Sequence, residues 1–172
     1  MVEEMFELVN EKDEVIGRVS RKDAHRELLR HRAVHVFLFN ENGELFVQQR
    51  SASKDTHPLR FGSSMGGHVD IGETYRQAAV RELKEELGIT AEENELQELH
   101  MFDPVDYNWM EFAVLYSLHY KKKRHGEICL SKEECKSGAF RVVKEIEQSI
   151  RNDPSRWTPD FVAYFKWWRK QL

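Results

Sequence analysis

The sequence predicts an α/β domain, and three observations carry the prediction. Short runs rich in β-branched and aromatic residues recur in both halves of the chain. Between them lies a capped amphipathic helix, and a proline-led helix with an aromatic stripe closes the chain. With 172 residues the chain fits one domain, 1–172, large enough for a real core, and it shows no repeat, low-complexity tract or interdomain linker.

In chain order, Met5 to Val9 and Glu14 to Val19 predict a hairpin across the polar turn Asn10 to Asp13. Ser20, with Asp23 three residues on, predicts the start of a short helix over Arg21 to Leu29, so the first unit occupies about 5–30. Ala33 to Phe39 and Leu45 to Gln49 predict strands joined through Asn42-Gly43, a strong turn signal. Arg50 to Ser64 then reads as a long polar connection, and a connection this long inside a compact domain is more often functional than idle. Its Arg50, Lys54 and Arg60 bring positive charge toward the acidic stretch that follows.

The helix from Thr74 to Leu87 opens on a capping-box pair, Thr74 and Gln77, and stops at Gly88, which can take the left-handed conformation. At about 100° per residue, Glu82, Glu85 and Glu86 share one arc and Val80, Leu83 and Leu87 the arc beside it. The apolar arc is expected to pack and the acidic arc to face solvent in a cleft. Carboxylates one turn apart repel, and Arg81 and Lys84 could relieve them as an ordinary solvated face. The glycines upstream, Gly66, Gly67 and Gly72, favour the other reading, in which backbone approaches a ligand closely. Clustered oxygen ligands of this kind suit Mg²⁺ or Mn²⁺ with bound phosphates.

Downstream, Leu96 to Phe102 predicts a strand, and Glu111 to Tyr120 predicts another, with Phe112, Val114, Tyr116 and Leu118 on one face and Ala113 and Leu115 on the other. Lys121 to Arg124 reads as a solvated basic turn, Glu127 to Leu130 and Ala139 to Val143 as short strands, and Lys144 to Arg151 as a helix. Pro159 at the first helical position sets the last helix, about 159–172, whose Phe161, Tyr164, Phe165 and Trp168 are read as core. Net charge is −4, so no global basic field points to nucleic acid as a partner. Cys129 and Cys135 are read as unbridged thiols away from the pocket. The acidic start lacks the order of a signal peptide, and no apolar run approaches the ~18 residues of a spanning helix. A soluble cytoplasmic protein without membrane partners is expected.

Gly67 to Ile89 resembles the Nudix box, Gly-x5-Glu-x7-Arg-Glu-U-x-Glu-Glu-x-Gly-U with U aliphatic, and Gly67, Glu73, Arg81, Glu82, Leu83, Glu85, Glu86, Gly88 and Ile89 fill every fixed position. The resemblance implies a Nudix fold, a mixed sheet sandwiched between helices, with the box as a loop-helix-loop holding divalent metal, Mg²⁺ or Mn²⁺, against a diphosphate. By the same resemblance Glu82, Glu85 and Glu86 would be metal ligands, aided by the Gly67 carbonyl, with Arg81 and Glu73 orienting them. A catalytic base would come from the box, Glu86 or Glu85, or from a later loop, where Glu134 matches best. Arg50 and Lys54 would meet the substrate phosphates.

The flanks, from Phe6 to about Tyr120, are similar to the Nudix branch that includes type I isopentenyl diphosphate isomerase. That enzyme places a cysteine directly before the box, where this chain has Gly66. It also holds a metal outside the helix, and His31 or its neighbour His25, with His68 and Glu111, would be the matching set; Trp109 stands where that enzyme has a further carboxylate. The expected function is a metal-dependent hydrolase cleaving a diphosphate bond in a small molecule, with isomerase chemistry and a non-catalytic diphosphate sensor as alternatives.

Overall fold

The computed structural model describes residues 4–107 and 110–172, so Trp109 lies outside the described residues. Strand β1 (Met5–Val9) pairs antiparallel with β2 (Val15–Ser20) as a separate hairpin. Helix α1 (Arg21–Glu27) begins where expected, the Ser20 hydroxyl accepting from the Asp23 N–H, and ends two residues early at Leu28, which takes a left-handed φ of 54°.

A seven-stranded sheet follows, built from β3 (His31–Phe39), β4 (Leu45–Arg50), β5 (Phe61–Gly62), β6 (Met65–His68), β7 (Gln97–Phe102), β8 (Glu111–His119) and β9 (Cys135–Arg141). The order is β5-β4-β3-β8-β7, with β6 on β3 and β9 on β4. Strands β3 and β8 run parallel and the other pairs antiparallel, which makes the sheet mixed. Helix α2 (Tyr75–Leu87) covers one face, and α5 (Val143–Asn152) and α6 (Pro159–Lys170) cover the other.

Side-chain alternation explains the sandwich. Val34, Val36, Leu38, Val114, Tyr116 and Leu118 point to the α2 side, where Ala78, Ala79, Leu83 and Leu87 are fully buried. Ala33, Phe37, Phe39, Ala113 and Leu115 point the other way, onto Ile146, Ile150, Phe161, Tyr164 and Phe165. The aromatic stripe of α6 is therefore core, as its spacing predicts, with Trp168 packed at its edge.

Several expectations are corrected. β3 and β4 do not form an extended hairpin; they pair only at Phe39 and Leu45. The Ser64 hydroxyl stands between them, accepting from the Leu38 N–H at 2.8 Å and donating to the Phe46 carbonyl. Beyond that wedge β6 takes the edge of β3 from Val36 to Ala33, so the sheet opens beside the glycines. Arg50 to Ser64 is accordingly not all loop, since β5 lies within it.

Glu127 to Leu130 is not a strand. Its backbone instead serves the end of α2, the Cys129 N–H donating to the Leu87 carbonyl and the Ser131 N–H to the Glu86 carbonyl, groups that a helix end leaves without partners. The basic run closes a single helical turn, α4 (Lys122–His125), rather than an open turn, and Arg124 pairs with Glu92 and Glu95 at 3.0 and 2.9 Å. A four-residue helix, α3 (Pro104–Tyr107), completes the set. Among the described residues no helix is long and apolar enough to cross a membrane.

Candidate active site

Helix α2 is anchored by the capping box the sequence predicts, with both Thr74–Gln77 bonds present, and Gly88 ends it at a φ of 68°. Arg81 organises its outer face. The guanidinium donates to both Glu73 oxygens at 2.9 Å, to Glu82 at 2.9 Å, to Glu85 at 3.2 Å and to the His68 carbonyl at 3.0 Å. One cation thus ties the loop before the helix to two of its carboxylates, which offsets their repulsion.

The acidic arc is not uniformly solvent-facing, and this corrects the expectation for Glu86. That side chain is 4% exposed and its carboxylate accepts from Gln48 Nε2 at 2.9 Å. Glu82 is largely buried, and only Glu85 is mostly exposed. Glu82, Glu85 and Glu86 all line the cleft, Glu86 at its buried floor. Cys135 is also nearer than expected: it is buried, and its thiol donates to Gln48 Oε1. Neither Cys129 nor Cys135 is bridged.

Burial pushes the Glu86 carboxyl up to about 8 and the Glu82 carboxyl up to about 7, each raised further by neighbouring carboxylates. In the metal-free protein these groups hold protons in the folded chain that an unfolded chain has already released. Stability conferred by these two groups is therefore present below about pH 4.5 and declines as pH rises through 7 and 8. Metal-free protein is expected to melt higher at pH 6 than at pH 8, and saturating Mn²⁺ at pH 8 should raise the melt by roughly 5–10 °C. Calorimetric scans with and without the ion check both signs.

Facing the helix, Lys54 Nζ lies 2.6 Å from Glu134 Oε2, and the Arg50 guanidinium is held by the Thr56 carbonyl at 3.0 Å. The two loops that carry Lys54 and Glu134 are joined further by the Ser51 N–H, which donates to the Glu134 carbonyl at 2.9 Å.

A second group gathers on the other face of β6. His25, His31, His68 and Glu111 place ligand-capable atoms within 4.8 Å of one another. Glu111 Oε1 lies 3.3 Å from His31 Nε2 and 3.5 Å from His68 Nε2. Desolvation pulls the Glu111 carboxyl up, but hydrogen bonds and charge from both histidines overcome it and hold the group well below the usual carboxylate range. Burial and the other two imidazoles push His25 down, toward the neutral form that ligates metals. His31 Nδ1 contacts the Leu29 carbonyl at 2.8 Å, which fixes the ring and turns Nε2 toward Glu111. Phe6, fully buried on β1, packs against His31 and His68 with ring centroids 5.1 and 4.4 Å away, so the N-terminal hairpin forms a wall of this cluster.

The two glycines serve opposite faces of β6. A Cβ on Gly67 would come within 2.2 Å of the Glu82 carboxyl carbon, and a Cβ on Gly66 within 2.7 Å of the His35 ring. The place that residue 66 leaves without a side chain is thus filled by an imidazole. Arg50, Lys54, Gly67, Arg81, Glu82, Glu85, Glu86, Glu134, His25, His31, His68 and Glu111 border one cleft of about 950 Å³, whereas Glu73 and Arg60 do not. Sequence reasoning missed His35 and Gln48. Each is a polar residue in alternation with core positions of its strand, His35 with Ala33 and Phe37 and Gln48 with Phe46, and that is the signal that would have found it.

An acidic helix end and a histidine–glutamate cluster open on one cleft of a mixed α/β sandwich, and both are donor sets of a kind that suits divalent cations. A family profile described as NUDIX domain matches residues 29–161, and the chain belongs to that family of hydrolases. It is 38% identical over 116 residues to a Nudix hydrolase of Deinococcus radiodurans, covering 67% of this chain and 68% of that one. It is 31% identical over 170 residues to an isopentenyl-diphosphate Delta-isomerase of Serratia proteamaculans, covering 96% and 91%. Among solved structures, DR0079 from Deinococcus radiodurans superposes with a TM-score of 0.74 at 32% identity, covering 87% of this chain and 90% of that one.

Proposed function

We propose that the chain hydrolyses the diphosphate bond of a small organic diphosphate at the α2 end of the cleft. The observation that carries this reading is the buried Glu86 carboxylate beside a largely buried Glu82 that stands against Gly67, with no cation among the described residues in contact with Glu86. Buried charges are kept where they are paired or coordinate metal, and this donor set fits a hard divalent ion. Glu82, Glu85, Glu86 and the Gly67 carbonyl would hold it. Such an ion, Mg²⁺ or Mn²⁺, supplies charge neutralisation on phosphate oxygens and acidifies a water.

The protein's own residues do the rest. Arg81 and Glu73 hold the carboxylates in place, and Arg50 and Lys54 meet the outer phosphate oxygens. Glu134 takes the water's proton, with Glu86 as the alternative base within the helix. As the water oxygen bonds to phosphorus, the bridging P–O bond breaks and the leaving phosphate carries off the electron pair. Because Lys54 is paired with Glu134, a phosphate that recruits Lys54 also releases Glu134 for this role.

Isomerase chemistry is the second reading, favoured by the histidine–glutamate cluster, which would hold a further metal. Incubating the protein and Mg²⁺ or Mn²⁺ with nucleoside, sugar and prenyl diphosphates separates the readings. Cleavage of the phosphoanhydride with no rearranged alkene is the expected result. Accumulation of dimethylallyl diphosphate from isopentenyl diphosphate in proportion to enzyme would establish the isomerase instead. Binding without turnover of any compound would leave a sensor.

Arg50→Ala and Lys54→Ala should each raise KM about tenfold while changing kcat less, since phosphate is contacted in ground and transition states alike. Unchanged KM in both would return these residues to the solvent-exposed surface.

A further inference from the structure

On the α6 side of the cleft, the His35 ring lies between two polar groups. Nδ1 lies 3.2 Å from the Ser63 hydroxyl, and Nε2 lies 3.8 Å from Asp160 Oδ2 at the first turn of α6. The ring also packs against Tyr164, centroids 4.7 Å apart, and over Gly66, where any side chain would collide with it. The residue is 8% exposed, and burial keeps it neutral near pH 7. In the tautomer whose Nδ1 accepts from the Ser63 hydroxyl, the ring proton stands on Nε2, toward Asp160.

The gap is the informative feature. A separation of 3.8 Å is too long for a direct hydrogen bond, yet both groups border the cleft. An oxygen placed about 2.8 Å from each would close the bridge, and it must accept from Nε2–H while donating to the carboxylate. A hydroxyl, of water or of a ligand that displaces it, does both; a phosphate oxygen can only accept and would meet Asp160 with like charge, and a hydrocarbon can do neither and would strip water from a carboxylate without replacing it.

We propose that His35 and Asp160 form a hydroxyl-recognition subsite, so that the group attached to the substrate's diphosphate is a hydroxylated one, a sugar rather than an isoprenoid. This deepens the diphosphate hydrolase reading and rests on it for the position of the phosphates. Ser63 and Gly66 are positioning residues, one orienting the imidazole and the other making room for it. Asp160 is the place to test, because it is part-exposed at a helix start and its loss leaves the core intact.

Binding of ADP-ribose, UDP-glucose and isopentenyl diphosphate to the full chain with Mg²⁺ is titrated calorimetrically, and cleavage is followed in parallel by chromatography. At least one sugar diphosphate is expected to bind about tenfold or more tightly than isopentenyl diphosphate, the scale of a hydrogen bond to a charged group. Asp160→Ala should remove that advantage while leaving isopentenyl diphosphate within about twofold. His35→Gln, which retains an N–H donor, should keep more of the advantage than His35→Leu, with melts confirming that each variant folds. Isopentenyl diphosphate binding as tightly as both sugar diphosphates, or an advantage untouched by Asp160→Ala, overturns the subsite. Sugar binding that depends on Asp160 but comes with no cleavage sinks the hydrolase reading and leaves the subsite standing.

Discussion

Glu86→Gln should lower kcat at least about a hundredfold, more than the usual cost of removing a group that merely supports a metal ligand. The carboxylate is buried, fixed by Gln48, and lies in the cleft with Glu82. Gln keeps the volume and an acceptor for Gln48 while removing the charge, so the fold should survive. In metal-free protein at pH 8 the variant is expected to melt at or above the parent, because the parent bears the cost of ionising a buried carboxyl whose midpoint is pushed up to about 8. At pH 6, nearer the unfolded carboxyl's own midpoint, the difference between the two melts should narrow. Steady-state rates and melts at both pH values check this. A rate within a few-fold of the parent would remove Glu86 from the site.

Gly67→Ala should be comparably damaging for a geometric reason. The new Cβ would sit 2.2 Å from the Glu82 carboxyl carbon and 2.3 Å from its Oε1, so the carboxylate must move by about 1 Å or more, a displacement that can cost ~10²-fold in rate. The backbone itself tolerates alanine, since Gly67 is not among the glycines with positive φ. Replacing glycine where no strain arises usually stabilises a protein by about 0.4–1 kcal/mol through the unfolded chain. The expected signature is therefore lost activity and weakened metal response with an undiminished metal-free melt. Activity within a few-fold of the parent would show that Glu82 does not need its present position.

Much of the fold and most of the candidate site's membership are legible in the residues because they depend on local rules. The caps of α1 and α2, the hairpin of β1 and β2, the alternation along β8 and the stripe of α6 follow from short-range sterics and from which residues leave water. The spacing Glu82, Glu85, Glu86 needs only the pitch of a helix, and the match of Gly67 to Ile89 to a known motif needs only the letters.

What the tertiary structure alone decided depends on contacts between residues far apart in the chain. Ser64 parting β3 from β4 is invisible to an Asn-Gly turn rule, because the wedge lies more than twenty residues downstream of the turn. Glu86 is buried against Gln48 on β4, a partner 38 residues away that nothing in its own helix reveals. The segment Glu127 to Leu130 has strand-like letters but finds the open carbonyls of α2 before it finds a strand partner. His25, His31, His68 and Glu111 become one cluster only when β3, β6 and β8 are paired and Phe6 closes the wall. Gly66 and Gly67 look alike in sequence, yet alternation along β6 gives one to His35 and the other to Glu82. Helical pitch and capping act within a turn of chain, whereas burial, ion pairing and ring packing act through space, and space is assigned only when the chain has folded.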